Sequence, residues 1–331
     1  MSCKCTRREF LARATATAAG AAIYASPAGT LLAQTGQPSS RVAIGRDDAL
    51  TSGRVGDQRE LLCRLLDASM QKLTNASDPT AAWRTLFGPE DRIGIKVNTL
   101  GLSTQPAVAE AIAVGLTKAG IPAENILIWD RFDVEMASAG YKINKSTRGV
   151  QCRGTDAEQI GAGYESRIEG SGQIGSCFSQ IVARELDKLI CVPVLKDHNL
   201  AGVSLGMKNF YGAIHNPNKY HDHNCDPYIV DVVSHRYIRD KWCLTVCDAT
   251  GAQVHAGPGR HPGFAWPFGG LIVSTDVVAA DAVAASLLEE ERQARGLKAL
   301  AEEGRPTKHI TTAATRGLGV ADLNRIERIE V

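Results

Sequence analysis

The sequence predicts an α/β protein: an open, mostly parallel sheet with helices on both faces and an inserted glycine-rich subdomain. Short apolar stretches alternate with longer stretches of helical periodicity. Strand, helix and strand follow one another within about forty residues, the spacing of a βαβ unit with parallel strands. The 331 residues, 44% hydrophobic and 22% charged, can bury a sizeable core.

The elements come in the order that this fold requires. QRELLCRLLDASMQKL is predicted as a helix and RIGIKVN as a strand. STQPAVAEAIAVGLTKAG forms the next helix, with Pro106 in its first turn and Gly120 just after its end. ILIWD is a short apolar strand. Strand, helix and strand thus complete the first βαβ unit.

The alternation returns after a glycine-rich stretch, 143–180, to which periodicity assigns no element. KLICVPVLK, CLTVCD and GLIVSTD are predicted strands, and DPYIVDVVSHRYI and VVAADAVAASLLEEERQ are predicted helices, the second capped by Asp276. We predict a signal peptide over 1–33, a linker over 34–57 and a single α/β domain over 58–331, with an insertion at about 140–185.

The first thirty-three residues resemble a twin-arginine export signal. Arg7 and Arg8 precede a weakly apolar, alanine-rich stretch with no run of about eighteen strongly apolar residues. We expect cleavage after Ala33, with Ala28 as the other candidate, and no membrane anchor afterwards. The twin-arginine translocase is then a partner, and the folded protein reaches the periplasm or another extracytoplasmic compartment. Export after folding favours a bound cofactor.

Composition argues against two classes of partner. A net charge of +1 without a basic stripe excludes nucleic acid as an expected partner. Removing Cys3 and Cys5 with the signal leaves seven of the nine cysteines, and no CxxC pair occurs among them. An iron–sulfur cluster is therefore not supported.

Polar residues stand at the carboxyl ends of the predicted strands, where open α/β sheets bind ligands. Lys96 and Lys196 would repel each other if they met at one edge, so we expect an anionic small molecule or cofactor between them. Asp130 has a second interpretation, as a cap of the segment that begins near Phe132. The predicted catalytic residues are Lys96, Asp130, Lys196 and His198.

The stretch LAGVSLGMKNFYG comes shortly after the predicted strand KLICVPVLK and directly after Asn199. Its glycines permit close backbone approach, which is typical of an anion-binding turn or simply of a tight loop. It matches neither a dinucleotide fingerprint nor a P-loop. The predicted cofactor-binding residues are Asn98, Gly206, Lys208, Asn209, Gly212 and Asp248.

The stretch HNPNKYHDHNC concentrates imidazole and thiol groups. These groups suit a transition metal such as zinc, iron, copper or nickel, whereas the prolines and asparagines between them are equally typical of a surface turn. The predicted metal ligands are His198, His215, His221, His223 and Cys225.

The stretches IGIKVNTLGLSTQPAVAEAIAVGLTKAGIPAENILIWDR, PVLKDHNLAGVSLGMKNFYG and DAVAAS resemble the domain of unknown function 362 family over about 90–290. The resemblance implies the fold and these segments, and it implies no reaction. A weaker similarity leads to lactate-racemase-like proteins, which use a nickel-bearing nucleotide. Here WDRFD replaces the Gly-Thr-His-Arg signature expected of those proteins.

Two principal functional hypotheses follow, besides a plainer third, a scaffold with a vestigial site. In the first, an exported protein binds an anion at the sheet edge, with a metal, and acts as a redox enzyme, lyase, isomerase or hydrolase. Lys96, Lys196 and Lys208 would hold the anion, and His198 would bind metal or move protons. In the second, the protein is a non-catalytic periplasmic carrier of a metal or metallocofactor.

Overall fold

The computed structural model describes residues 40–51, 58–156 and 162–331. These residues belong to one compact unit. The predicted signal peptide lies outside the described residues, as do 34–39 and 52–57 of the predicted linker. None of the helices in the described ranges is both long and apolar enough to cross a membrane.

The strands confirm the predicted fold class. Most of those described join one open, mostly parallel sheet, and two others form a separate hairpin. In chain order they are β1 (Ser40–Arg46), β2 (Ile93–Val97), β3 (Ile126–Asp130), β4 (Gln151–Gly154), β5 (Glu169–Ser171), β6 (Ile174–Ser176), β7 (Lys188–Val192), β8 (Val194–His198), β9 (Gly202–Val203), β10 (Trp242–Gln253), β11 (Ala265–Trp266), β12 (Gly270–Ser274) and β13 (Ile326–Glu330).

The main sheet runs in the order β13, β1, β12, β10, β7, β2, β3 and β4, with β8 and β11 also pairing with β10. Strands β10, β7, β2, β3 and β4 are parallel to one another. Strand β12 is antiparallel to both of its neighbours. The parallel half of the sheet therefore brings the carboxyl ends of its strands to one edge.

Helices cover both faces of the sheet. Ile126 and Ile128 of β3 belong to one buried apolar cluster, whereas Leu127 and Trp129 belong to another. This alternation follows from the two-residue period of a strand. The helices are α1 (Gln58–Thr74), α2 (Pro79–Arg84), α3 (Pro106–Lys118), α4 (Asp133–Ser138), α5 (Gly206–Asn209), α6 (Tyr228–Ser234), α7 (Arg236–Arg239), α8 (Val277–Ala294) and α9 (Lys308–Thr315).

Part of the predicted linker is a strand of the sheet. Residues 40–46 form β1, which pairs with β12 on one side and β13 on the other. Val42 and Ile44 are buried in the core. The polar residues around this short apolar run give the region a linker-like composition, so the linker prediction is wrong for these residues.

The glycine-rich stretch predicted as an insertion contributes to the main core. Its strand β4 extends the sheet beside β3, while β5 and β6 form the separate two-stranded hairpin. Ile174, Phe178 and Val182 belong to the same buried cluster as the strands of the main sheet. Within 140–156 and 162–185, this stretch therefore packs onto that core.

Two predictions about strand and helix ends have clear outcomes. KLICVPVLK divides at Pro193 into β7 and β8, because proline has no backbone N–H to donate to a ladder. Asp276 caps α8 as predicted, and its Oδ1 accepts from the backbone N–H groups of Val278 and Ala279.

Candidate functional site

A cleft of about 300 Å³ lies beyond the carboxyl ends of β2, β3 and β8. One side, which we call the strand wall, consists of Lys96, Asn98, Asp130 and Lys196. The opposite side, which we call the loop wall, comes from α5 and the segment after it and consists of Lys208, Tyr211 and His221. Predicted residues that line the cleft are Lys96, Asn98, Asp130, Lys196, His198, Lys208, Asn209, Gly212 and His221.

Lys96 and Asp130 form a buried ion pair at the base of the strand wall. Lys96 Nζ lies 2.7 Å from Asp130 Oδ1 and 2.6 Å from the carbonyl oxygen of Val97. The other carboxylate oxygen accepts from the backbone N–H and the hydroxyl of Thr99, both at 2.8 Å. Asp130 therefore serves this pair, and it makes no side-chain cap at Phe132 where α4 begins.

Lys196 is held by oxygen atoms of the protein itself. Its Nζ donates to the carbonyl oxygens of Leu100 and Leu102, each at 2.7 Å, and to Asn98 Oδ1 at 3.0 Å. Burial, together with the charge of Lys208, lowers the pKa of Lys196 to about 7. The three donors of its ammonium group are thus already used.

Two amide side chains connect these lysines. Asn209 Oδ1 accepts from Lys96 Nζ at 3.2 Å and from Asn98 Nδ2 at 3.5 Å, and Asn98 Oδ1 accepts from Lys196. The sequence reasoning required an anion to keep Lys96 and Lys196 from repelling. Asp130 and this amide bridge already fill that role.

Lys208 is the lysine that lacks such partners. Its side chain is buried, and no carboxylate among the described residues pairs with it. Its Nζ lies 3.2 Å from His221 Nε2 and 4.5 Å from the centre of the Tyr211 ring. Burial lowers the pKa of Lys208 to about 8.

His221 is oriented so that a bare ring nitrogen faces Lys208. Its Nδ1 lies 3.1 Å from the carbonyl oxygen of Pro217. Because a carbonyl can only accept, Nδ1 carries the hydrogen and Nε2 is the acceptor for Lys208. Burial and the charge of Lys208 lower the pKa of His221, which keeps the ring neutral.

His198 has the opposite tautomer. Its Nδ1 accepts from the backbone N–H groups of Leu200 and Ala201 at 3.1 and 3.2 Å, so Nε2 carries the hydrogen. Burial, with the charge of Lys208, lowers the pKa of His198 to about 2. His198 is therefore a fixed donor in the cleft. Neither ring nitrogen offers a free lone pair for a metal.

The remaining predicted metal ligands do not converge on the cleft. His215 and His223 are exposed, and Cys225 is buried in the apolar core. Over the ranges 40–51, 58–156 and 162–331, no three His, Cys, Asp or Glu side chains form a group suited to a metal ion. A transition metal stays a prediction from sequence.

The comparison with known families has one clear result. The model of the domain of unknown function DUF362 matches residues 93–286, more than half of the chain. The chain belongs to the DUF362 family. All the cleft-lining residues named above lie within the matched region of this DUF362 protein.

Comparisons with individual proteins add little about the DUF362 chain. No curated protein matches it. A crystal structure of a protein from Thermotoga maritima aligns with 9% identity and a TM-score of 0.44, over 68% of this chain and 59% of the other. The DUF362 chain thus spans less than two thirds of that protein.

Two predicted cofactor-binding residues of the DUF362 protein support the site from outside the cleft. Asp248 accepts from the backbone N–H of Gln105, at the start of α3, and from Thr250. The backbone N–H of Gly206 donates to Asp281 at 2.8 Å. Burial raises the pKa of Asp281 to about 7. The contacts of Asp248 and Gly206 thus join elements of the protein to one another, and neither residue lines the cleft.

Sequence reasoning missed several residues of this DUF362 site. Arg131 lines the cleft over the ring of Phe132, and its buried Nε has no hydrogen-bond partner among the described residues. Glu135 also lines the cleft, and burial raises its pKa. The charged residue directly after a strand end, Arg131, was the available signal. Nothing in the sequence marks Glu135 of α4.

His309 of α9 is the other missed residue. It is fully buried, and both of its ring nitrogens lack hydrogen-bond partners among the described residues. Burial, with the charge of Lys208, lowers its pKa to about 3. The sequence offers no signal for it, because α9 lies far along the chain from the strand ends.

Proposed function

We propose that the cleft binds a small organic anion through a carboxylate or phosphate group. One observation carries this proposal: Lys208 is a buried cation without a carboxylate partner in the described structure, and it faces the cleft. A buried charge without an opposite charge is costly. An anionic ligand would supply that charge at the loop wall.

The other charges of the cleft support an anionic ligand. Asp130 neutralises Lys96, so it does not offset the remaining cations. Apart from that pair, the charged residues that line the cleft are three basic ones, Lys196, Lys208 and Arg131, and one acidic one, Glu135. This balance of charge favours an anion.

The rim of the cleft suggests that the ligand also has an apolar part. Leu100 and Leu200 line it and are 59% and 42% exposed. Exposed leucines beside a polar cleft are typical of a binding surface that covers hydrocarbon. We propose an organic acid or organic phosphate in preference to an inorganic ion.

Calorimetric titration tests this proposal with pyruvate, lactate, benzoate and inorganic phosphate as probes. Lys208→Met should weaken binding of the best organic probe by about ten- to a hundredfold, the effect of losing a hydrogen bond to a charged group. Lys219→Met is the matched control, because Lys219 is an exposed lysine in the same segment. Equal affinity in the Lys208 variant and the parent protein would show that the proposed anion site is wrong.

We also propose that the protein is exported in the folded state through the paired arginines of its first residues. Replacing Arg7 and Arg8 together with lysine should leave the protein in the cytoplasmic fraction, with the predicted signal still attached. Arg13→Lys, in the same segment, is the control and should export normally. Periplasmic recovery of the double variant would overturn this proposal.

A further inference from the structure

We propose that Lys208 forms an imine with an aldehyde or ketone ligand that also carries a carboxylate or phosphate group. This inference rests on the proposed anion site and names the class of its ligand. It depends on the contact of one amine with His221, in a cleft that His198, a histidine of the opposite tautomer, also lines.

The contact with His221 presents the amine for attack. Lys208 Nζ donates to His221 Nε2 at 3.2 Å, and the hydrogen on Nδ1 fixes that ring in place through Pro217. The neutral amine can keep this hydrogen bond while its lone pair points elsewhere. Because Lys208 lines the cleft and lies over the Tyr211 ring, the lone pair can be directed into the cleft.

The other two lysines of the cleft are poor candidates for the same reaction. Lys96 is bound to Asp130, which favours its ammonium form. Burial lowers the pKa of Lys196 further, to about 7, but its Nζ is held by Asn98 and two backbone carbonyls and is not free to turn towards a ligand. The pKa of Lys208, lowered by burial to about 8, leaves a substantial neutral fraction near neutral pH, which is how buried lysines become nucleophiles.

The proposed step balances without a redox partner. The Nζ lone pair attacks the carbonyl carbon, and the π electrons move to the carbonyl oxygen, towards which His198 Nε2–H donates. His221 Nε2 relays one proton from the attacking nitrogen to the alkoxide oxygen, which gives the carbinolamine. The nitrogen lone pair then expels the hydroxyl group, which leaves as water after His221 relays the second proton from that nitrogen. Amine and carbonyl thus give imine and water, with both histidines unchanged.

Reductive trapping tests the imine directly. The purified full chain is incubated with pyruvate, 2-oxoglutarate or dihydroxyacetone phosphate, then treated with sodium borohydride and analysed by mass spectrometry. We expect one adduct per chain, with the mass of the probe less one oxygen atom, mapped to the peptide that contains Lys208. Pyruvate and dihydroxyacetone phosphate separate carboxylate from phosphate ligands, and lactate, which has no carbonyl group, should give no adduct.

Matched variants separate this inference from the anion site. Lys208→Arg keeps a cation but has no nucleophilic amine, so it should lose the adduct. Lys219→Met should keep the adduct. His221→Asn should slow trapping at least about a hundredfold, the usual contribution of a general base. Circular dichroism verifies that each variant is folded.

Each outcome has one meaning. An adduct on Lys196, or adducts spread over surface lysines, would overturn the inference. So would the absence of any adduct with all three probes. If anion binding still depends on Lys208 in that case, the proposed anion site stands alone. If no organic anion binds, both proposals fail.

Discussion

The two walls of the cleft contain lysines in opposite situations. In the strand wall, Lys96 has a carboxylate and a carbonyl, and Lys196 has two carbonyls and an amide. In the loop wall, Lys208 has a neutral imidazole and an aromatic ring. The strand wall is complete by itself, whereas the loop wall lacks an opposite charge. The proposed anion site is therefore placed at Lys208 by its missing opposite charge, and not by the number of lysines in the cleft.

The comparison also separates structural from functional polar residues. Buried polar groups in native proteins are nearly always satisfied, and those that are not indicate strain, a ligand or a catalytic role. By this criterion Asp130 and Asp248 serve the structure, because their oxygens accept from nearby backbone groups. Arg131 Nε has no hydrogen-bond partner among the described residues, and Lys208 has no carboxylate partner there, which is consistent with the proposed ligand.

The largest effect should come from the strand wall. Lys96→Met leaves the carboxylate of Asp130 buried without its cation and should lower the free energy of unfolding by about 3–5 kcal/mol. Urea denaturation measures it. Adding Asp130→Asn should recover part of the loss. A single-variant effect below about 1 kcal/mol would show that the pair is not the base of this wall.

Gly212→Ala should have an intermediate effect. A Cβ at Gly212 would lie 2.8 Å from Asp130 Oδ1 and 2.9 Å from Lys96 Nζ. Because overpacking of a buried site costs about 1–3 kcal/mol, we expect a loss of that size in urea denaturation. Gly251→Ala is the control, since a Cβ there meets no atom within 4 Å. Equal stability of the two variants would contradict this packing.

Lys208→Met should cost little stability and should change its pH dependence. The folded-state pKa of about 8 lies below the ordinary value of 10.5, so the unfolded chain binds more protons between these values. Stability should therefore rise with pH in that window and rise less in Lys208→Met. The parent and the variant are compared by urea denaturation from pH 7 to about 10.5. Identical slopes would show that Lys208 is not buried as described.

The smallest effect should come from the exposed histidines. Replacing His215 and His223 together with alanine should change the affinity for organic anions less than about twofold, because surface substitutions rarely matter to a separate site. Titration and elemental analysis of parent and variant measure this. Loss of a bound metal in the variant would instead support the metal cluster predicted from sequence.

Much of the strand wall could be predicted from the sequence. Parallel strands bring their carboxyl ends to one edge, so Lys96, Asp130, Lys196 and His198 follow from the strand pattern alone. The hydrogen-bond partners of these residues could not be predicted, because Leu100, Leu102 and Asn209 reach them through tertiary packing. The same packing divides HNPNKYHDHNC, so that Pro217, Asn218 and His221 line the cleft, while His215 and His223 are exposed and Cys225 is buried in the core.

Strand β1 has a consequence for how the protein is made. It begins at Ser40, yet in the sheet it lies between β12 and β13, which the ribosome synthesises more than two hundred residues later. Pairing across such a sequence separation is slow, because a long loop must close first. The sheet therefore cannot be completed before β13 has been synthesised. Until then, β12 is the one strand of the described sheet with which β1 can pair.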